Sequence, residues 1–372
     1  MQGPEYDLVV IGAGIHGAGV AALAAARGWR VLVLERTDIA AGTSSRSSKL
    51  IHGGLRYLES GQLGLVRECL HERAALLRAH PDLVRLTPHF IPVYERSRRG
   101  SMKIRLGLSL YALLGGLGPA VRFRRLPRRE WAQLDELDTH GLRAVYRYYD
   151  AQTDDAALTR RIMDQARAAG AELVLPAALL RAQCRGEGLE LEYAAAAGVQ
   201  RVRARRLVNA AGPWVNRVAA CIEGGPAPLP METVAGTHLV FDRPLRRGVY
   251  YVESPLDGRA VFVMPWQKSQ TLVGTTERLW QGAPDEVAPS AEEVDYLRST
   301  LQAHFPAYTG LAPAAAFAGL RVLPQADASP TGRSRETRLV TGCEGRLVSI
   351  YGGKLTVFAA PARRVLAALA GF

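Results

Sequence analysis

Tyr6-Asp7-Leu8-Val9-Val10-Ile11-Gly12-Ala13-Gly14-Ile15-His16-Gly17 is a short apolar run entering a Gly-x-Gly-x-x-Gly turn, and an alanine-rich stretch from Ala18 to Arg27 follows it. Strand, tight turn and helix in that order make a dinucleotide-binding βα unit. Gly12 permits the turn, Gly14 lets the backbone approach a pyrophosphate, and Gly17 lets helix and strand pack closely. Ile15 and His16 lie at the helix start, where N–H groups and a positive dipole favour an anion. A second apolar run, Val31-Leu32-Val33-Leu34, delivers Glu35 and then Arg36. An acid about 20 residues past the fingerprint accepts hydrogen bonds from a ribose hydroxyl pair, which favours an adenosine ribose without a 2′-phosphate. The fingerprint alone leaves NAD and FAD both open.

The chain has 372 residues, 48% of them hydrophobic, with mean hydropathy near zero. That describes a globular protein with core for roughly two domains. Residues 8–26 are uncharged, but the three fingerprint glycines at a strand-to-helix turn argue against a membrane span, and Glu5 and Asp7 argue against a signal peptide. A cytoplasmic protein is the expectation. Cys69, Cys184, Cys221 and Cys343 have no metal-like spacing, so four reduced thiols and no metal site are expected.

The formal net charge is +12, and only Lys49, Lys103, Lys268 and Lys354 among the 47 basic residues are lysines. Where arginine serves for generic positive charge, each lysine raises the question of a specific ammonium. Lys49 and Lys354 fall in glycine-containing segments. Arg96, Arg98, Arg99, Lys103 and Arg105 precede an uncharged stretch from Leu106 to Val121, and Arg122, Arg124, Arg125, Arg128 and Arg129 follow it. Two readings stay open: a segment lying on the inner face of a membrane, and a solvated basic surface around a buried helix. Little aromatic interleaving and no recognised motif speak against nucleic acid.

Periodicity predicts helices over residues 62–79 and 156–169 and strands at 172–175, 189–193 and 202–208. Residues 231–280 read as short strands of an antiparallel sheet. Leu347 to Gly353 is a strand entering a glycine turn before a helix over 356–369. The predicted fold is α/β plus α+β: a discontinuous Rossmann-like domain with a separate antiparallel-sheet substrate domain. The expected segments are 1–90, 141–230 and 318–372 for the first domain, 91–140 for the basic amphipathic segment, and 231–317 for the substrate sheet.

A second glycine-containing segment runs from Thr43-Ser44-Ser45 through Ser48-Lys49-Leu50-Ile51-His52-Gly53-Gly54-Leu55-Arg56-Tyr57 to Glu59. With Tyr149 to Ala156, Val208 to Trp214, Val261 to Trp266, Gly274-Thr275-Thr276, Gly319-Leu320-Arg321 and Gly352-Gly353-Lys354-Leu355-Thr356, it resembles the FAD-dependent glycerol-3-phosphate dehydrogenases of the D-amino-acid-oxidase-like flavoproteins. The matches run in the family's order over nearly the whole chain. The resemblance implies FAD, held by the fingerprint residues, Glu35, Arg36, Thr43, Ser44, Ser45, Ser48 to Gly54, Ala211, Gly212, Trp214, Gly319, Arg321 and Gly352 to Thr356. Gly53 and Gly54 are expected to let main chain approach the flat ring.

The resemblance also implies sn-glycerol 3-phosphate as substrate. Arg56 and Arg321 are the candidate forked donors for its phosphate, with Tyr57, Thr275, Thr276 and Lys354 beside them. His238 and His52 are the candidate proton acceptors, expected to titrate near neutrality, with Arg321 also in the catalytic set. A quinone is the expected electron acceptor. The alternatives are oxidation of another small hydroxy acid or amine, and a flavin-binding membrane-surface protein without catalysis. Glu277 stands where the family commonly has Asp, Val322 where it has Pro, and Ala157 where it has Arg. Long members continue into a helical cap of roughly a hundred residues, about one small domain, whereas this chain stops after the last flavin-domain helix.

Overall fold

The computed structural model describes residues 5–325 and 337–371. The fingerprint lies in a six-stranded sheet with the order Arg338–Gly342, Leu347–Tyr351, Leu207–Asn209, Leu8–Ile11, Val31–Leu34, Glu172–Val174. All neighbours pair in parallel except the edge strand Arg338–Gly342. Leu8–Ile11 and Val31–Leu34 are buried at every position, the pattern of parallel strands covered on both faces.

The helices are α1 (Ile15–Ala25), α2 (Leu63–Ala79), α3 (Ser101–Leu114), α4 (Asp155–Ala168), α5 (Val215–Ala219), α6 (Ala291–His304) and α7 (Ala359–Leu369). On one face of the six-stranded sheet, α1, α4 and α7 share an apolar cluster with Val10, Val33, Val208 and Ile350. Alanines along α1 permit this close approach from two sides. On the other face, Val9, Ile11, Leu32 and Leu34 pack against Ala182, Leu189 and Leu191 of a five-stranded sheet.

The second unit is a ten-stranded sheet. Its main path runs Arg278–Trp280, Met231–Phe241, Gln270–Gly274, Ala260–Trp266, Val249–Glu253, Val84–Tyr94, Leu142–Thr153 and Leu50–Ile51, while Ala315–Pro324 also pairs Met231–Phe241 and Arg124–Arg125 pairs Leu142–Thr153. It is antiparallel apart from the pairing of Val249–Glu253 with Val84–Tyr94. α6 covers one face through Leu297 and Leu301, and α2 and α3 cover part of the other.

Two expectations change. The large sheet is not confined to residues 231–317, because Val84–Tyr94 and Leu142–Thr153 pair with each other and join it; the boundaries at 90 and 141 therefore give way to strand pairing between distant segments. Cys184 and Cys343 are not reduced thiols: they form a disulfide with Cα atoms 5.9 Å apart, leaving Cys69 and Cys221 free. The stretch 106–121 is a short helix followed by turns. α3 buries Ile104, Leu108 and Tyr111 but exposes Met102, Leu106 and Leu113, with Leu117 beyond its end. No helix among the described residues is long and apolar enough to cross a membrane.

Candidate active site

The fingerprint turn is shaped for a diphosphate. Gly12 has φ +102°, and a Cβ there would stand 2.9 Å from the Ala210 carbonyl oxygen, which fixes the turn against the segment containing Ala211 and Gly212. A Cβ on Gly17 would overlap the Gly12 carbonyl oxygen. Gly14 caps α1 with no side-chain bond, and the first turn holds no acid. The Ile15 N–H donates to Ser44 Oγ at 2.9 Å, drawing the serine segment across the helix start. Glu35 Oε2 accepts from the Ala13 N–H at 2.7 Å, which puts its carboxylate beside the turn. N–H donors at a helix start whose first turn holds no acid, with the Glu35 carboxylate beside them as an acceptor, fit the pyrophosphate and the ribose hydroxyls of FAD.

Other members of the expected cofactor set have partners within the protein. The Arg36 guanidinium stacks on Trp214 and pairs with Asp285, to which Trp214 Nε1 also donates at 3.1 Å. Thr43 Oγ1 donates to the Leu320 carbonyl at 2.7 Å, and Ser45 Oγ to that of Gly42. Gly319 lets its strand approach this loop, since a Cβ there would meet the Arg46 carbonyl oxygen at 2.6 Å. Leu50 and Ile51 form a short strand against Ala151 and Gln152, both side chains buried.

The Lys49 side chain turns inward as an anchor of the serine segment. Its ammonium is buried, 2.6 Å from Asp155 Oδ1 and 2.5 Å from the Ser45 carbonyl oxygen, under the rings of Trp266 and Phe317. Asp155 also accepts from the Ser47 N–H and Oγ–H, at 2.9 and 2.6 Å. A compact head with three donors fits this pocket.

Gly53 and Gly54 pack against aromatic side chains. A Cβ on Gly53 would meet the Tyr111 hydroxyl at 2.3 Å, and one on Gly54, at φ +76°, would meet the Tyr57 ring at 2.2 Å; close packing by protein groups is enough to require glycine at both positions. The Gly53 N–H donates to Asp150 Oδ1 at 3.1 Å and to Tyr111 Oη at 3.0 Å. Asp150 is fully buried, pairs with Arg73, and accepts from Tyr111 at 2.8 Å. Asp150, Asp155, Arg73 and Tyr111 were absent from the candidates. The two aspartates sit in a motif quoted above without a role, and Arg73 reads from sequence as an ordinary solvated helix charge.

On the substrate side, His238 lies on Met231–Phe241, paired with Phe317 and Gly274. Its Nε2 is 3.0 Å from Ser48 Oγ, its ring stacks on Phe317, and Nδ1 is buried without a hydrogen bond. Ser48 thus faces the substrate sheet. His238 does not titrate near neutrality: burial first, then Lys49 and Arg321, push its pKa down to about 3. Burial pushes His16 down to about 4, its Nε2 lying where a Cβ on Gly353 would be.

Both imidazoles bind a proton less readily in the fold than in the unfolded chain. Stability is therefore lost as pH falls below 6.5 toward these values, by about 1.4 kcal/mol per pH unit for each histidine. Urea midpoints should fall steadily from pH 6.5 to pH 5, and less steeply in His238→Gln; a flat profile would contradict the assignment.

Arg321 and Arg56 come together. Arg321 Nη1 and Arg56 Nη2 donate to Glu277 Oε1 at 3.0 and 3.2 Å, and Arg321 Nη2 donates to the Thr276 carbonyl at 2.9 Å. Thr275 lies beside Arg321, both within reach of a Cβ on Gly236. Thr276 is buried, its hydroxyl donating to Glu293 and accepting from the Thr237 N–H, which supports the strand end beneath Arg321. Lys354 Nζ lies 3.6 Å from the Tyr57 ring centroid and 4.0 Å from Cys69 Sγ, whose pKa burial pushes up to about 11. The His52 ring stacks on Tyr57, and the His52 backbone N–H donates to Thr356 Oγ1 at 3.3 Å, next to Leu355. Gly352 and Gly353 turn the chain with positive φ before Lys354.

Residues 7–358 match the family model described as FAD dependent oxidoreductase. The chain is 36% identical over 376 residues to a glycerol-3-phosphate dehydrogenase of Pseudomonas aeruginosa, covering 99% of this chain and 72% of that protein. It is 34% identical to the D-erythritol 1-phosphate dehydrogenase of Brucella abortus, covering 98% and 74%. Among solved structures it resembles the Bacillus halodurans glycerol-3-phosphate dehydrogenase complexed with FAD, with TM-score 0.78 and 26% identity over all of this chain and 65% of that one. The chain thus spans about two thirds of that solved relative's length.

Proposed function

The chain belongs to the family of FAD-dependent oxidoreductases, and from that premise we propose that it oxidises sn-glycerol 3-phosphate to dihydroxyacetone phosphate. The observation that carries this reading is the meeting of Arg56 and Arg321 at Glu277, on the sheet that also bears His238. Two forked cations from different elements suit a phosphate better than a single carboxylate. FAD, when bound, supplies an acceptor at N5 for the hydride leaving C2. His238 accepts the proton of the C2 hydroxyl. Its low pKa keeps the imidazole unprotonated, and a phosphate dianion at Arg321 offsets one of the charges that hold that pKa down. Thr275 lies beside Arg321, and Lys354 lies over the ring of Tyr57, which follows Arg56 in the chain.

Electrons then pass to a quinone at a bilayer surface. This reading is supported by the exposed ridge of Met102, Leu106, Leu113 and Leu117, with Lys103 and Arg105 within it and Arg122, Arg124 and Arg125 after it. α3 packs against α2 and the turn Leu55–Leu58, which carries Arg56 and Tyr57.

The test is anaerobic mixing of holoenzyme with sn-glycerol 3-phosphate. Flavin absorbance should bleach, recover faster with a short-chain quinone than with oxygen, and the protein should sediment with anionic vesicles. No bleaching at millimolar substrate would end the assignment. Bleaching by D-erythritol 1-phosphate alone would move it to a longer polyol phosphate.

A further inference from the structure

Arg56 and Arg321 are partly open, their side chains 26% and 24% exposed, whereas the Glu277 side chain between them is 6% exposed. The acid thus lies behind the guanidiniums. One oxygen, Oε1, accepts from both. Each guanidinium gives an N–H to that oxygen, and Arg321 gives another to the Thr276 carbonyl. Two cations brought side by side repel, and a shared carboxylate is what lets them stay together before any anion arrives. The support beneath is firm: Thr276 is tied to Thr237 and Glu293, Arg278 reaches the same Glu293, and α6 begins with a capping box of Ser290 and Glu293.

We propose that Glu277 is a positioning residue that holds Arg56 and Arg321 as one preformed phosphate clamp. The inference rests on the function proposed above and adds the group that sets phosphate recognition. A plain structural ion pair would, on removal, lower stability without regard to which substrate is present. A clamp positioner acts on binding of the phosphate group alone.

The test compares holoenzyme with Glu277→Gln, which keeps shape and an acceptor oxygen but loses the charge, and with Glu277→Asp, which keeps the charge. In Glu277→Gln, KM for sn-glycerol 3-phosphate and the inhibition constant of inorganic phosphate should rise together, on the order of tenfold. kcat at saturation should stay within about threefold. Glu277→Asp should recover most of the loss. Three results would overturn the proposal: unchanged KM and phosphate inhibition; a fall in kcat with KM unchanged; or a lower KM, which would make Glu277 a competitor of the substrate. Failure of the wild-type flavin to bleach would count against the proposed reaction. In that case the perturbation of oxidised-flavin absorbance by inorganic phosphate, present in wild type and weakened in Glu277→Gln, still decides the clamp.

Discussion

Asp155→Ala is expected to lose FAD on gel filtration and to unfold about 3–5 kcal/mol more easily than the wild type. The carboxylate is fully buried. Its removal leaves the Lys49 ammonium inside the protein with the Ser45 carbonyl and two aromatic faces as its remaining partners. It also releases the Ser47 N–H and hydroxyl. An unpaired buried cation costs far more than the pair contributes, so Lys49→Met with Asp155→Leu should recover part of the stability while the serine segment stays disordered for cofactor binding. Urea unfolding with flavin stoichiometry reads both quantities. Full flavin content with an unchanged midpoint in Asp155→Ala would refute the anchor role.

The second large effect is expected at Arg321. Arg321→Ala should lower kcat/KM for sn-glycerol 3-phosphate by about 10³ to 10⁴, some 4 to 5.5 kcal/mol of transition-state stabilisation, while leaving flavin content near normal. Lysine should restore little, because a point charge cannot reproduce two parallel N–H donors. Gly236→Ala should imitate part of this loss without removing the arginine. Its Cβ would lie 2.9 Å from Arg321 Nη2 and 2.5 Å from Thr275 Oγ1, forcing the guanidinium away from the Thr276 carbonyl. Steady-state kinetics with saturating acceptor distinguish the cases. An Arg321→Ala enzyme with kcat/KM within tenfold of wild type would remove this residue from substrate recognition.

Much of the fold was legible because it is written in local periodicity. α2 and α4 begin and end within a residue or so of the predicted limits, and Ala260–Trp266 is one of the antiparallel strands expected within 231–280. Long-range pairing was not legible. Val84–Tyr94 carries the same alternation whether it joins a Rossmann layer or an antiparallel sheet, and only its partners decide. The Cys184–Cys343 bond closes a separation of 159 residues, which no spacing rule reports. Arg73 shows the same difficulty: on an amphipathic helix it looks solvated, yet the fold brings it against Asp150 and the Gly53 loop.

The sequence alone pointed to a dinucleotide cofactor at the start of α1, because the glycine spacing, the flanking strand and helix, and Glu35 are all local consequences of one turn. It also placed Arg56, Arg321 and His238 among the candidates. What each of them touches was decided by tertiary structure. The Lys49 ammonium paired with Asp155, Gly53 and Gly54 packed against Tyr111 and Tyr57, and Glu277 took a place between two arginines. The physical reason is that hydrogen bonds and buried charges are satisfied across elements distant in the chain, and their partners are chosen only when sheets and helices pack.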